Sequence, residues 1–214
     1  MDLWILGMIN LDEGIEYPFS YGEQSMMKLA LLDTILKKSG TFKINPGLKN
    51  DEFFRAVLNS YVHALLKNDQ LVELFLEARR SRSGKIQHPN NDQIFDMIVA
   101  NHLKTQGRTK ELFFVPITIN YDRVVEGEVF PHDLLGEKPV KESFLRSVKQ
   151  MLNIKKGMGK VVVQYGAPQP ISKHLEAFAN KRGLAPTAVS KDPKQLAAFT
   201  EDLGESLSQL QVEN

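Results

Sequence analysis

From Leu112 to Ile119 the chain reads Leu-Phe-Phe-Val-Pro-Ile-Thr-Ile, a nearly continuous apolar run with the length of a β-strand. A run without polar alternation is expected where a sheet is covered on both faces. Leu71 to Leu76 and Lys160 to Tyr165 supply two further strand segments, the second closed by Gly166. Stretches with helical spacing separate them, and that alternation predicts an α/β protein with a mixed, mostly buried β-sheet flanked by helices on both faces. Pro116 has no backbone N–H to give to a ladder, so a bulge or an interruption is expected there.

The helices follow from apolar residues recurring at three and four positions. Met27, Ala30, Leu31 and Ile35 predict a helix over 24–38 that stops before Gly40, with a short strand from Thr41 to Ile44. Phe54, Val57, Leu58, Tyr61 and Leu65 predict a second helix to about Lys67, behind the capping residues Asn50 and Asp51. Gln93 to Leu103 predicts a third, and Leu145, Val148 and Leu152 mark a fourth. Beyond Pro168 and Pro170 the pattern is wholly helical, broken at Gly183 to Pro186, with a polar last helix from Asp192 to Leu210. The expected organisation is an α/β domain over 1–170, incomplete at its N-terminus, and a helical C-terminal extension over 171–214.

Composition narrows the chemistry. With 214 residues, 42% hydrophobic and 25% charged, the chain is long enough to bury a core without staples. It has no cysteine, which excludes disulfides, thiolate metal sites and cysteine nucleophiles. A net charge of +1 argues against bulk attraction to nucleic acid, so anion recognition has to come from a local cluster. The first apolar run, Leu3 to Leu11, is broken by Gly7 and Asn10 and is far shorter than the roughly 20 residues of a membrane span. It has neither a basic leader nor a small-residue cleavage site, so an intracellular protein is expected.

The densest local charge lies in Phe75-Leu-Glu-Ala-Arg79-Arg80-Ser81-Arg82-Ser83-Gly84-Lys85, where a strand runs into four cations and two hydroxyls. Loops leaving strand ends in α/β sheets commonly bind ligands, and the arginine fork matches phosphate oxygens. The competing reading is a solvated basic turn. A nucleotide-binding P-loop does not fit, because Arg79 stands where its first glycine belongs and Ile86 where its hydroxyl belongs. His88 and Asp92 lie in a polar turn sequence, and His63, His102, His132 and His174 have no ligand spacing among themselves. No Gly-x-Ser-x-Gly elbow occurs.

Three blocks together resemble one family. Ser39-Gly-Thr-Phe-Lys43-Ile44 is similar to the second motif of the glycerol-3-phosphate and dihydroxyacetone-phosphate acyltransferases. Phe75 to Ser83 is similar to their third motif, and Val115-Pro116-Ile117 with Tyr121-Asp-Arg-Val124 and Glu126 to their fourth. Lys141-Glu-Ser143 and Gly159 to Pro168 resemble the stretch that follows, so the resemblance covers roughly residues 2 to 175.

The resemblance implies transfer of a fatty acyl group from an acyl-coenzyme A or acyl-carrier-protein thioester to the first-position hydroxyl of a phosphorylated three-carbon acceptor. It implies no metal and no cofactor beyond that co-substrate, and peripheral contact with a membrane. Glu77, Arg79, Arg80, Arg82 and Lys43 would organise the acceptor phosphate, while Val115, Pro116 and Ile117 would support the acyl-donor pocket. The family's first motif is a histidine followed five residues later by an aspartate that orients it. Asp2 falls at the aspartate, so the histidine is expected before Met1, and no His-x-x-x-x-Asp occurs in the chain.

Two departures accompany the likeness. Asn45 and Pro46 stand where the family has an arginine pair, and Ala78-Arg79 replaces its Gly-Thr. Arg79 is then a candidate substitute for the lost cations. A binding protein that keeps the fold and the anion site without catalysis is the alternative that these departures motivate.

Overall fold

The computed structural model describes residues 2–23, 30–44, 51–77, 93–105, 110–122 and 159–213. In chain order they form α1 (Asp2–Asp12), β1 (Tyr21–Glu23), α2 (Ala30–Lys38), β2 (Phe42–Ile44), α3 (Glu52–Lys67) and α4 (Gln93–Lys104). There follow β3 (Phe113–Phe114), β4 (Ile117–Tyr121), β5 (Val161–Tyr165), β6 (Gln169–Pro170), α5 (Ile171–Arg182), α6 (Pro186–Val189) and α7 (Pro193–Glu213). Both helix and strand are present with parallel and antiparallel pairing, as expected of a mixed α/β chain.

β1 and β2 pair in parallel, Tyr21 against Phe42 and Glu23 against Ile44, with α2 as the crossover. Phe19 makes a parallel bridge to Val72, which brings the Leu71 to Leu76 segment beside the approach to β1. That segment was expected to be a full strand; among the described residues its ladder is the single bridge at Val72. Ser20 and Thr41 share a buried hydroxyl–hydroxyl hydrogen bond of 2.9 Å across the β1–β2 approach, which satisfies two polar groups that burial would otherwise penalise.

Pro116 divides what would be one long antiparallel pair. β3 pairs with β6, Phe114 facing Gln169, and β4 pairs with β5, Ile117 facing Tyr165. Three steps of chain on one side oppose four on the other, so the interruption carries one extra residue opposite the proline, in the manner of a bulge. The Pro116 carbonyl still finds a partner, accepting from the Gly166 N–H at 2.7 Å. The expected interruption is found, but the burial of this run on both faces is not: Phe113 is 52% exposed and Val115 44%.

α4 organises the core because both its flanks are apolar. Ile94 and Ile98, one turn apart, meet Leu58 and Val62 of α3 with Tyr21, Phe42 and Val72 packed around them. Phe95, Val99 and Leu103, rotated to the next face, pack with Ile171, Leu175 and Phe178 of α5, Val189 of α6, and Phe199, Leu203 and Leu207 of α7. Each such fully buried side chain stabilises by about 1.5–3 kcal/mol. Leu74, Leu112 and Phe114 touch both clusters, so the strands are held between the two helix groups.

Local signals place the helix ends. Asp51 caps α3, its Oδ1 accepting from the Phe54 N–H at 2.9 Å, a bond typically contributing ~1 kcal/mol. Gly40 at φ 80° and Gly183 at φ 65° end α2 and α5 in the left-handed conformation that favours glycine. The part of the first expected helix over 24–29 and the helix marked by Leu145, Val148 and Leu152 lie outside the described residues. Among the described residues, no helix is long and apolar enough to cross a membrane.

Candidate active site

The Leu3 to Leu11 run, to which no element was assigned from sequence, is the body of α1, and Asp2 and Asn10 seat that helix on the β4–β5 pair. Asp2 Oδ1 accepts from the Tyr121 hydroxyl at 2.5 Å, and Asn10 Oδ1 accepts from the Tyr165 hydroxyl at 2.7 Å. The spacings agree: eight helical residues rise about 12 Å. Along β5, from Val161 opposite Tyr121 to Tyr165, the rise is about 13 Å. α1 therefore lies along the β4–β5 pair, with the Asp2 carboxylate in its first turn, where the helix dipole favours negative charge.

Beneath α1, Tyr17 turns its ring against Gly7. A Cβ at Gly7 would sit 2.1 Å from Tyr17 Cε2, so this close approach requires glycine. Burial chiefly, and then the nearby Glu73 carboxylate, push the Tyr17 hydroxyl up, while a bond with Ser39 pulls it down. Tyr165 is pushed up in the same way, by burial first and then by Glu73 and Glu13.

Glu73 acts electrostatically on both tyrosines. Burial first, and then Asp2, push its carboxyl up to about 7. Its position in the chain is set by backbone bonds to both sides of Phe19: the Phe19 N–H donates to the Leu71 carbonyl at 2.7 Å and the Glu73 N–H to the Phe19 carbonyl at 2.8 Å.

Lys43 sits on β2 opposite Gly22 and pairs with Asp33 of α2 at 2.7 Å; Asp33 also holds Lys37 at 2.7 Å. Those two ammonium groups keep the Asp33 carboxyl below the usual carboxylate range. Lys43 thus faces a standing competitor for any anion it would bind. Pro116 is buried, Ile117 half-buried and Val115 exposed. Ile117 and Thr118 are read by the last helix: Gln211 Nε2 donates to the Ile117 carbonyl at 3.2 Å, and Thr118 Oγ1 donates to the Gln211 carbonyl at 3.3 Å.

Asp2 is thus bonded at one end of the β4–β5 pair while Pro116 and Ile117 lie at the other, and Lys43 is tied to α2. Glu77 is half-buried at the end of the Leu71 to Leu76 segment. Arg79, Arg80 and Arg82, together with Asn45, Pro46, His88 and His132, lie outside the described residues. Among the described residues, no group of three His, Asp or Glu side chains is placed to hold a metal. His63, His102 and His174 belong to α3, α4 and α5. Sequence reasoning missed Asn10, Tyr17 and Glu73. For Glu73 a signal existed, since it is the charged residue inside an otherwise apolar run.

A profile of the family described as Acyltransferase matches residues 1–120. A probable mitochondrial glycerol-3-phosphate acyltransferase of Caenorhabditis elegans is 31% identical, over 82% of this chain and 25% of the relative. A glycerol-3-phosphate acyltransferase of Xanthomonas campestris pv. campestris is 30% identical, over 95% of this chain and 23% of the relative. One of Pseudomonas aeruginosa is 30% identical, over 72% of this chain and 18% of the relative. The chain therefore spans a quarter or less of the length of these relatives. No solved structure matches.

Proposed function

The chain belongs to the acyltransferase family, and from that premise we propose that it is part of the catalytic region of an O-acyltransferase that uses glycerol 3-phosphate as acceptor. The observation that carries this reading is likeness to proteins named glycerol-3-phosphate acyltransferase over 72% to 95% of the chain. In the proposed reaction the first-position hydroxyl attacks the carbonyl of an acyl thioester. A C–O bond forms, the C–S bond breaks, and the hydroxyl proton passes through a base to the departing thiolate.

Asp2 is the aspartate that orients that base, and the base is a histidine five residues before it. Such a base contributes about 10² to 10⁴-fold in rate. The hydrogen bond from Tyr121 supports the assignment, since it gives the carboxylate one direction at the start of α1. Glu77, Arg79, Arg80 and Arg82 take the acceptor phosphate, with Lys43 released from Asp33 as a further donor. Val115, Pro116 and Ile117 line the acyl chain. Dihydroxyacetone phosphate is the other acceptor consistent with the motifs, and the amphiphilic donor favours peripheral contact with a membrane.

The test is acyl transfer by the full-length native protein from acyl-coenzyme A and from acyl-carrier protein, with glycerol 3-phosphate and dihydroxyacetone phosphate offered separately. Its N-terminal peptide is sequenced alongside. Turnover with glycerol 3-phosphate and a histidine five residues before Asp2 support the proposal; a well-folded protein that turns over neither acceptor overturns it. Asn45-Pro46 and Ala78-Arg79 favour a second reading, a binding protein for the same ligands. Calorimetric binding of acceptor or acyl-coenzyme A without turnover would select it.

A further inference from the structure

The far end of α1 carries a second bond, between two residues that the proposed reaction does not use. The Tyr165 hydroxyl donates to Asn10 Oδ1 at 2.7 Å, and Asn10 is only 7% exposed, so its amide oxygen depends on that hydroxyl and not on water. The Asn10 carbonyl accepts from the Ile15 N–H at 2.7 Å, which ties the same residue to the turn after α1. On the strand side, Tyr165 precedes Gly166, whose N–H donates to the Pro116 carbonyl at 2.7 Å and holds that end of β5 against the proline.

The register puts both tyrosine hydroxyls on one face. Val161 stands opposite Tyr121, and directly opposed residues of an antiparallel pair share a face. Val163 and Tyr165 follow on that face at steps of two. Tyr165 stands opposite Ile117, the first residue of β4, whereas Tyr121 is the last. α1 thus runs antiparallel to β4, bonded near each end to the face it lies along. A helix fastened through Asp2 and Tyr121 alone is free to turn about that bond. A second bond about 12 Å along the axis removes the freedom.

We propose that Asn10 and Tyr165 are positioning residues for acyl transfer, a second fastening of α1 that keeps the Asp2 carboxylate aimed at the base it orients. This rests on the proposed function. Both residues act through the helix and not on the reacting atoms. The demand on them is strict, because a displacement of about 1 Å in a catalytic arrangement costs on the order of 10²-fold in rate.

The experiment measures kcat, KM and urea unfolding for the full-length protein and for its Tyr165→Phe, Asn10→Leu and doubly substituted variants. Each single substitution leaves one buried polar group without its partner and is expected to destabilise. The double variant replaces both partners by apolar groups of similar shape and is expected to regain most of that stability. In all three variants kcat is expected to fall on the order of 10-fold, with the acceptor KM changed less than about twofold. A kcat that returns with stability in the double variant would overturn the proposal, as would wild-type kcat in the folded single variants. The Tyr121 hydroxyl proton, identified by NMR as the resonance lost in Tyr121→Phe, reads the seat of Asp2 without activity. In Tyr165→Phe it is expected to shift and to exchange faster with water; an unchanged resonance overturns the proposal even in an active enzyme. Absence of acyl transfer by the wild type with this shift intact would instead remove the functional premise, so the two failures are read separately.

Discussion

The Tyr121 hydroxyl, on the last residue of β4, donates to the Asp2 carboxylate in the first turn of α1 at 2.5 Å, joining residues 119 positions apart. Removing the donor leaves the carboxylate with one bond fewer. Tyr121→Phe is expected to lower stability by about 1.5–3 kcal/mol, the usual range for a bond to a charged group. In the proposed reaction it should also lower kcat with KM little changed. Urea unfolding and steady-state kinetics of the variant check both effects.

Gly7 against Tyr17 offers a test of packing with an internal control. Gly7→Ala gains helix propensity, about 1 kcal/mol, but collides with the ring and is expected to be destabilising by about 1–3 kcal/mol. On a Tyr17→Ala background the collision disappears, so the same substitution is expected to become stabilising. Denaturant midpoints of the four proteins in this cycle decide the matter.

Two groups of opposite sign should slope stability with pH on the acid side of neutrality. Glu73, raised to about 7 from an ordinary ~4.3, binds its proton more tightly folded than unfolded. Its favourable contribution is complete below about pH 4.3 and is lost as pH rises through about 7. Glu73→Gln is therefore expected to melt above wild type at about pH 8, and the difference should shrink toward about pH 4. His102 and His174 are held below the usual histidine range, first by burial; Lys173 adds to this at His174, while Glu111 and Asp202 oppose it. Their contribution is present above about 6.5 and lost as pH falls through their lower folded values. Melting curves of wild type, Glu73→Gln and His174→Gln across pH separate the two slopes.

Asp33 competes with any phosphate for Lys43. Asp33→Asn is expected to lower the KM for a phosphorylated acceptor by about threefold, the scale of an exposed ion pair. Lys43→Met should raise it. An acceptor KM that responds to neither substitution would remove Lys43 from the phosphate site.

α1 was not read from the sequence, but α3, α4 and the ends of α2, α3 and α5 were, because their causes are local. Asp51 and Gly183 act within one turn of their own positions, and the spacing along α3 and α4 is a property of consecutive residues. Pro116 announced the interruption between β3 and β4 for the same reason, through a donor its own ring removes. The Leu71 to Leu76 segment was harder, because an apolar run says nothing about how many neighbours will pair with it.

What the sequence by itself determined, then, is the alternation of helix and strand, the helix caps, the break at Pro116 and the motifs that tie the chain to its family. Only the tertiary structure decided that α1 lies along the β4–β5 pair, that Lys43 is shared with Asp33, and that Glu73 Oε1 is buried without a hydrogen-bond partner among the described residues. The physical reason is range. Propensity and capping are set within a few residues, whereas burial of a carboxylate and the charge beside it depend on segments that meet only when the chain folds.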